Sequence, residues 1–384
     1  MNNKQKIAVA LFSGLSAFIT IPALAQEGID SVTNQRVFDS LSNCANKGNV
    51  GCKVELGQAY SRSKDYMNAM SWFVEAANEG NTDAECNIGV LYENGLGIPK
   101  DISKAILWFT KSAQHGNVIC QCRLGNLYET ELGEHHAYTD ALKWYKLASD
   151  SGNVSAMISV ARMYEAGMGV MKDYDVAANY LRKATAQNSG LAEGRMGWYY
   201  EHGLISDPDT VEAVKWYRRS AEHGDGSGEN NLGRMYYFGY GGLKVNYNEA
   251  VKWFKKAADV GNLLAFYVLG QIYEAGVGDT KQDSAAAFHM FSYGAEGGHP
   301  ASQYKTGTYY ENGRVVPKND SIAAAWYTKA QANGNMRAAG SLGKMLWEGR
   351  GLTKDKEKGK IYLQVAAGSG LEEYREYMER KGIK

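Results

Sequence analysis

The feature that most constrains this chain is a period. A small residue in a Leu-Gly-like pair falls at Gly57, Gly89, Gly125, Ala161, Gly197, Gly233, Gly270, Gly307 and Gly343, at intervals of 32, 36, 36, 36, 36, 37, 37 and 36. Three residues beyond each stands a tyrosine, at Tyr60, Tyr92, Tyr128, Tyr164, Tyr200, Tyr236, Tyr273 and Tyr310, until Leu346 breaks the series. Self-similarity at such a fixed spacing marks a repeat array. It displaces the division into two ordinary domains that 384 residues would otherwise suggest.

The second half of each unit has its own mark, an Ala or Gly three residues before a large side chain. The pairs are Ala69/Trp72, Ala105/Trp108, Ala141/Trp144, Ala177/Tyr180, Ala213/Trp216, Ala250/Trp253, Ala287/Met290, Ala323/Trp326 and Gly359/Tyr362. Small residues return one turn later, as Ala76-Ala77 and Ala257-Ala258. Spacings of three and four place these residues on one helical face. Each unit therefore reads as two helices, A and B, whose small residues receive the aromatics of the neighbour. Asn94-Gly-Leu-Gly97, Ala166-Gly-Met-Gly169 and Ala275-Gly-Val-Gly278 end helix A, since glycine supplies the left-handed conformation of a C-cap. Asp101, Asp173 and Asn248 are read as N-cap acceptors for helix B. Pairs such as Gly80-Asn81 and Gly116-Asn117 close helix B, and one residue is read as inserted near Ala186–Ser189.

The ends differ from the array. Lys4 and Lys6 precede an apolar stretch, Ile7 to Ile21, and Ala23-Leu24-Ala25 is a small-x-small cleavage site. This reads as a secretory signal over residues 1–25, with Gln26 the mature start. It places the protein in a periplasm or outside the cell, where disulfides persist. Residues 26–51 are read as an N-terminal cap helix, 52–371 as the repeat array and 372–384 as a charged C-terminal capping helix. Basic and acidic residues balance at 42 each, and removal of two leader lysines leaves a charge near −2. No field draws in nucleic acid, and no transmembrane segment is expected in the mature chain. The 44 glycines against five prolines fit regular tight turns rather than a disordered linker.

Helix pairs of this length, with Leu-Gly-x-x-Tyr, Gly-x-Gly and Ala-x-x-Trp, resemble Sel1-like repeats, relatives of the tetratricopeptide repeats. The resemblance spans about residues 36–371, with local departures at Ala161, at Met290 and at Thr130-Glu-Leu-Gly133. It implies an all-α fold, a right-handed α-solenoid superhelix whose A helices line the concave side. It also implies an interaction scaffold, which in secreted bacterial members serves host contact, envelope assembly or signalling. Cys44 and Cys52, with seven residues between them, match the spacing by which cysteine-rich Sel1-repeat proteins bridge neighbouring helices. Cys86 lies one unit away from Cys120 and Cys122, and reaches either only if adjacent A helices approach within about 7 Å. One of the five cysteines must stay unpaired.

Few residues carry a chemical signal. Ser61-Arg-Ser-Lys64 and Ser302-Gln-Tyr-Lys305 match Ser-x-x-Lys, and Lys305-Thr-Gly307 matches Lys-Thr-Gly. The latter two share Lys305, which cannot fill both roles of a penicillin-recognising site. A β-lactam or peptidoglycan-related binder or hydrolase is thus an alternative, and a periplasmic regulator of a membrane enzyme is another. His135-His136 sit in a charged loop without a metal-binding spacing. No catalytic, metal or cofactor residue is assigned. What remains is surface. If the helices stack as in tetratricopeptide repeats, the residue after each small ruler residue faces the groove: Gln58, Val90, Asn126, Arg162, Trp198, Arg234, Gln271, Thr308 and Lys344. Three before the ruler, Tyr267 and Tyr304 join Asn230. Arg162, Trp198 and Arg234 read as a cationic-aromatic ridge, since Arg and Trp dominate binding hot spots. The expected partner is a protein or peptide, held by Asn126, Arg162, Trp198, Arg234, Gln271, Tyr267 and Tyr304.

Overall fold

The computed structural model describes residues 31–131 and 135–384, and the leader reading over 1–25 lies outside them. The described residues form twenty helices in two compact units. The first unit, to Gln187, holds α1 (Ser31–Asn46), α2 (Val50–Arg62), α3 (Tyr66–Asn78), α4 (Thr82–Asn94), α5 (Ile102–Gln114), α6 (Val118–Thr130), α7 (His135–Asp150), α8 (Val154–Ala166) and α9 (Tyr174–Thr185). The second, from Asn188, holds α10 (Gly190–His202), α11 (Thr210–Glu222), α12 (Gly226–Phe238), α13 (Tyr247–Asp259), α14 (Leu263–Ala275), α15 (Ser284–Glu296), α16 (Pro300–Asn312), α17 (Asp320–Ala332), α18 (Met336–Glu348), α19 (Lys356–Gly368) and α20 (Glu372–Lys381). Within each unit every helix packs on the next, and A helices also meet across repeats, as α10 meets α12. Among the described residues there is no strand, and no helix is long and apolar enough to cross a membrane.

Each pair is drawn together by one contact. A methyl group built on Gly89 would lie 2.5 Å from the fully buried ring of Phe109. The same ring position is held by Phe73, Tyr145, Tyr217, Phe254, Phe291 and Tyr327 against their own glycines. The ring that fills the glycine is therefore the residue after the tryptophan, not the tryptophan read from sequence. Trp108 lies partly exposed beneath the Lys111 ammonium, 5.3 Å from its centroid. Ala161, the exception among the ruler residues, has Leu181 rather than a ring at the equivalent position. Small-to-large matching of this kind lets backbones approach and keeps the interior at crystal-like density.

Capping sets the boundaries. Asn49, Asn81, Asn117, Asn153 and Asn262 each accept a backbone N–H of the A helix that follows. These asparagines open the next helix with their side chains and also close the previous one with their backbone N–H groups, as Asn81 N–H donates to the Ala76 carbonyl at 3.1 Å. Asp101 and Asp173 cap B helices as expected, but before α13 the cap is Asn246. Asn248 instead sits in the first turn and bonds to Asp279. The insertion read near 186–189 is absent, because Asn188 at φ 59° stands where a left-handed glycine stands in the repeats around it. Gly97 does need to be glycine, since φ is 70° and a methyl there would meet Tyr66 at 2.6 Å. In the first repeat three residues, with Lys64 at φ 65°, replace the longer loop.

The Cys44–Cys52 disulfide that the resemblance implies is present, and so is the second one that the sequence leaves open. Cys44 and Cys52 form a disulfide between α1 and α2, with Cα atoms 5.8 Å apart. Cys86 pairs with Cys120 rather than Cys122, joining α4 to α6 across adjacent A helices at a Cα separation of 5.9 Å. Cys122 is the free thiol, and burial pushes its pKa up to about 11. At the back, Tyr374, Tyr377 and Met378 of α20 are buried, with the Tyr374 ring lying over Gly340.

Candidate interaction surface

The position after the ruler residue is not uniformly open. Gln58 and Val90 are buried at the front of the first unit, whereas Asn126 on α6 is exposed. Arg162, also in the first unit, is half-buried. In the second unit Trp198 is 37% exposed and Gln271 is exposed, its amide donating to the Tyr267 hydroxyl at 3.1 Å. Tyr267 lies half-buried between the rings of Phe291 and His299, at centroid distances of 5.9 and 5.2 Å. Tyr304 packs on Tyr327 at 5.6 Å. Asn230 does not join them at the surface, because its side chain is buried.

The arginines are not free cations. Arg162 donates to Glu129 at 2.6 Å and Arg234 to Glu201 at 2.6 Å. Those glutamates belong to a series four residues beyond the ruler position. In it Arg123 meets Glu93, Lys305 meets Glu274 and Arg350 meets Glu311, at 3.0, 2.7 and 2.9 Å. Core tyrosines end on the same carboxylates: Tyr217 donates to Glu201 and Tyr327 to Glu311, each at 2.7 Å. A buried phenol needs such an acceptor, and a charged one gives a stronger bond. Burial pushes the Glu201 carboxyl up, but hydrogen bonds from Arg234 and Tyr217 outweigh it and hold the pKa below the ordinary value. Burial and the Glu201 carboxylate raise the Tyr217 phenol well above its usual range. These carboxylate braces tie one repeat to the next, and they neutralise the ridge read as cationic. The glutamates recur on the same period as the glycines, a signal the sequence reading passed over.

A second recurrent brace uses carboxylates buried outright. Glu193 is sealed by Arg219 at 2.8 Å and by His223 Nδ1 at 2.6 Å. Glu85 meets Lys111 at 3.0 Å and His115 Nδ1 at 3.4 Å. These histidines are also helix C-caps. His135-His136 lie outside the residues whose side chains are described, and among the described residues no three ligating side chains converge on a metal position. Ser302 is fully buried, with its hydroxyl 3.0 Å from His299 Nδ1, while Lys305 is occupied by Glu274 at 2.7 Å. Ser61 is buried as well. A serine nucleophile must meet its substrate, and neither hydroxyl is placed to do so.

Stacked antiparallel helix pairs with recurring inter-repeat braces define the class of α-solenoid repeat scaffolds. The chain belongs to the Sel1 repeat family, whose pattern matches it nine times, at 50–81, 82–117, 118–153, 154–189, 190–225, 226–262, 265–299, 300–335 and 337–371. It is similar to a protective antigen present in uropathogenic Escherichia coli strains, which displays an SLR fold. Identity is 30% over 88% of this chain and 80% of that one, with a TM-score of 0.60. A Sel1 repeat protein from Oxalobacter formigenes is 29% identical over 63% of this chain and 96% of its own, with a TM-score of 0.52. A search of curated proteins finds no match. The chain is thus a Sel1-repeat scaffold, a kind of repeat that typically binds proteins. Its two disulfides are compatible with an extracytoplasmic setting.

Proposed function

We propose that the protein is a secreted or periplasmic scaffold that binds a protein or peptide segment on A helices of the second unit, where Trp198, Gln271 and the braced Arg234 stand, with Asn126 and the braced Arg162 the corresponding candidates of the first unit. The carrying observation is Trp198, an exposed tryptophan at a position that other copies of the repeat fill with Gln, Val, Asn, Arg, Thr or Lys. Exposed aromatic anchors of this kind dominate binding energetics. The leader-like N-terminus and the disulfides support the extracytoplasmic setting. The likeness to a protective antigen of a pathogen supports a role at the host interface. Recognition needs no bond to be made or broken, and no placement of Ser61 or Ser302 favours the β-lactam reading. The test is affinity capture from envelope fractions and host lysates with the wild-type chain and with Trp198→Ala. A partner retained by wild type and lost by the variant is expected. A partner retained equally by both refutes the site.

A further inference from the structure

We infer that His299 is a pH-sensitive helix cap in the second unit: the neutral imidazole holds the start of α16 closed, and the protonated one releases it together with the Tyr267 ring packed against it. The device is local and does not rest on the reading that this unit binds a partner. It is visible against the capping pattern of the array. The residue ahead of an A helix is Asn49, Asn81, Asn117, Asn153, Ser189, Asp225, Asn262 or Asn335. Each offers a side-chain oxygen to the backbone N–H three residues on. Ahead of α16 the position is held by His299, whose Nδ1 accepts the Ser302 N–H at 3.3 Å. The hydroxyl of Ser302, a fully buried residue, lies 3.0 Å from the same nitrogen. Pro300 brings no N–H to this turn, and the Gln303 N–H goes to the His299 carbonyl at 2.9 Å. The Ser302 N–H is thus the donor that the imidazole serves.

An imidazole can cap in one state alone. Nδ1 accepts only while it keeps its lone pair, in the neutral tautomer with the proton on Nε2. Protonation turns it into a donor aimed at another donor. If the Ser302 oxygen turns to accept the new proton, its own O–H and the Ser302 N–H both lose their acceptor. They lose it in a closed place, since a methyl built on Gly294 would lie 2.5 Å from Ser302 Oγ. Leaving buried donors unpaired is costly, and a cation at a helix N-terminus opposes the helix dipole. The groups packed around the ring do not offset that charge. From α14 the titratable neighbour is Tyr267, 5.2 Å away between ring centroids. From α15 it is Glu296, which is exposed. From α17 and α18 the neighbours are amides, with Asn333 donating to the Gly298 carbonyl and Asn335 to the Pro300 carbonyl. On α16 itself Lys305 is a like charge already tied to Glu274 at 2.7 Å. His115 and His223 differ, because each faces a buried glutamate. Burial holds the His299 pKa below its ordinary value of 6.5. The cap is therefore fully present above that pH and is lost as pH falls through the folded-state pKa. With it goes one of the two rings, His299 and Phe291, that hold Tyr267.

The test compares the full mature chain with His299→Asn, which installs the cap used elsewhere in the array, and with His299→Ala, which removes the acceptor. Amide hydrogen exchange over residues 300–306 is followed by mass spectrometry from about pH 7.5 to about pH 4.5, each rate divided by the intrinsic rate at that pH. Wild type should lose protection about fivefold or more across that range, the loss expected when a cap is removed, while the Asn variant keeps it. The Ala variant should lack that protection throughout. In a chain carrying 13C in its His and Tyr rings, the His299 signal is assigned by its absence from the Asn variant. It should titrate below pH 6.5, and the Tyr267 signal should move with the same midpoint. The inference is overturned if wild type and the Asn variant lose protection alike, because His115 and His223 are present in both. It is also overturned if wild type keeps its protection in acid, or if the Ala variant is as protected as wild type at neutral pH. A His299 midpoint at or above 6.5, or a Tyr267 signal that ignores that midpoint, overturns it as well.

Discussion

Replacing Glu201 with Gln tests whether the carboxylate braces hold the repeats together. The side chain keeps its length and one acceptor but loses its charge. Arg234 then has no counter-ion at 2.6 Å, and the fully buried Tyr217 ring, whose hydroxyl is 2.7 Å away, faces a weaker acceptor. Glu201 is 14% exposed and Arg234 31%, so the pair is better shielded than a surface ion pair without being fully desolvated. Hydrogen bonds to charged groups contribute about 1.5–3 kcal/mol, and partial retention brings the expected loss to about 2 kcal/mol. For a cooperative unit of this size, that lowers the melting temperature by about 4–8 °C at neutral pH. Circular dichroism of the full chain reads it. Because the folded-state pKa of Glu201 is held below its ordinary value of 4.5, its contribution is fully present above that pH. It is lost as pH falls through the folded pKa, where the protonated carboxyl resembles Gln. The gap between wild type and variant should therefore close under acid conditions, although both proteins lose stability there. A variant that melts with wild type at neutral pH, or a gap that persists in acid, refutes the brace.

Gly89→Ala should destabilise the first unit by about 1–3 kcal/mol, because its methyl would press on the buried Phe109 ring. Adding Phe109→Leu, the combination found at Ala161 and Leu181, should restore part of that loss in the same melting assay. Cys86→Ser opens the covalent link to Cys120 and should cost up to about 4 kcal/mol by loop-closure entropy. The unreduced, denatured wild-type chain should show one titratable thiol, Cys122. In the native chain that thiol, with a pKa near 11, should alkylate only slowly at mildly basic pH.

Much of this protein could be read from spacing alone. A strict period requires identical local solutions, so helix number, pairing and family follow from where Gly89, Tyr92 and their copies fall. Composition and the cysteine pattern marked Cys44–Cys52 through family resemblance, since both residues flank a single turn. Periodicity reports which face of a helix is buried. It does not report which of two adjacent large residues points inward. From spacing alone Trp108 reads as the packing residue, whereas Phe109 holds the place, and Asn81 reads as an ending, whereas it both ends one helix and begins the next.

The tertiary structure alone decided matters that depend on contact between repeats. Cys86 had two partners at comparable sequence distance, and the approach of α4 to α6 selected Cys120. Arg162 and Arg234 looked like free cations because their counter-charges lie 33 residues earlier, on another helix. Phe238 and Tyr240 fall off the repeating pattern, so no periodic argument could place their rings beside each other. A one-dimensional period determines what every copy must share. The places where copies differ acquire meaning only when neighbouring helices bring those differences together in space.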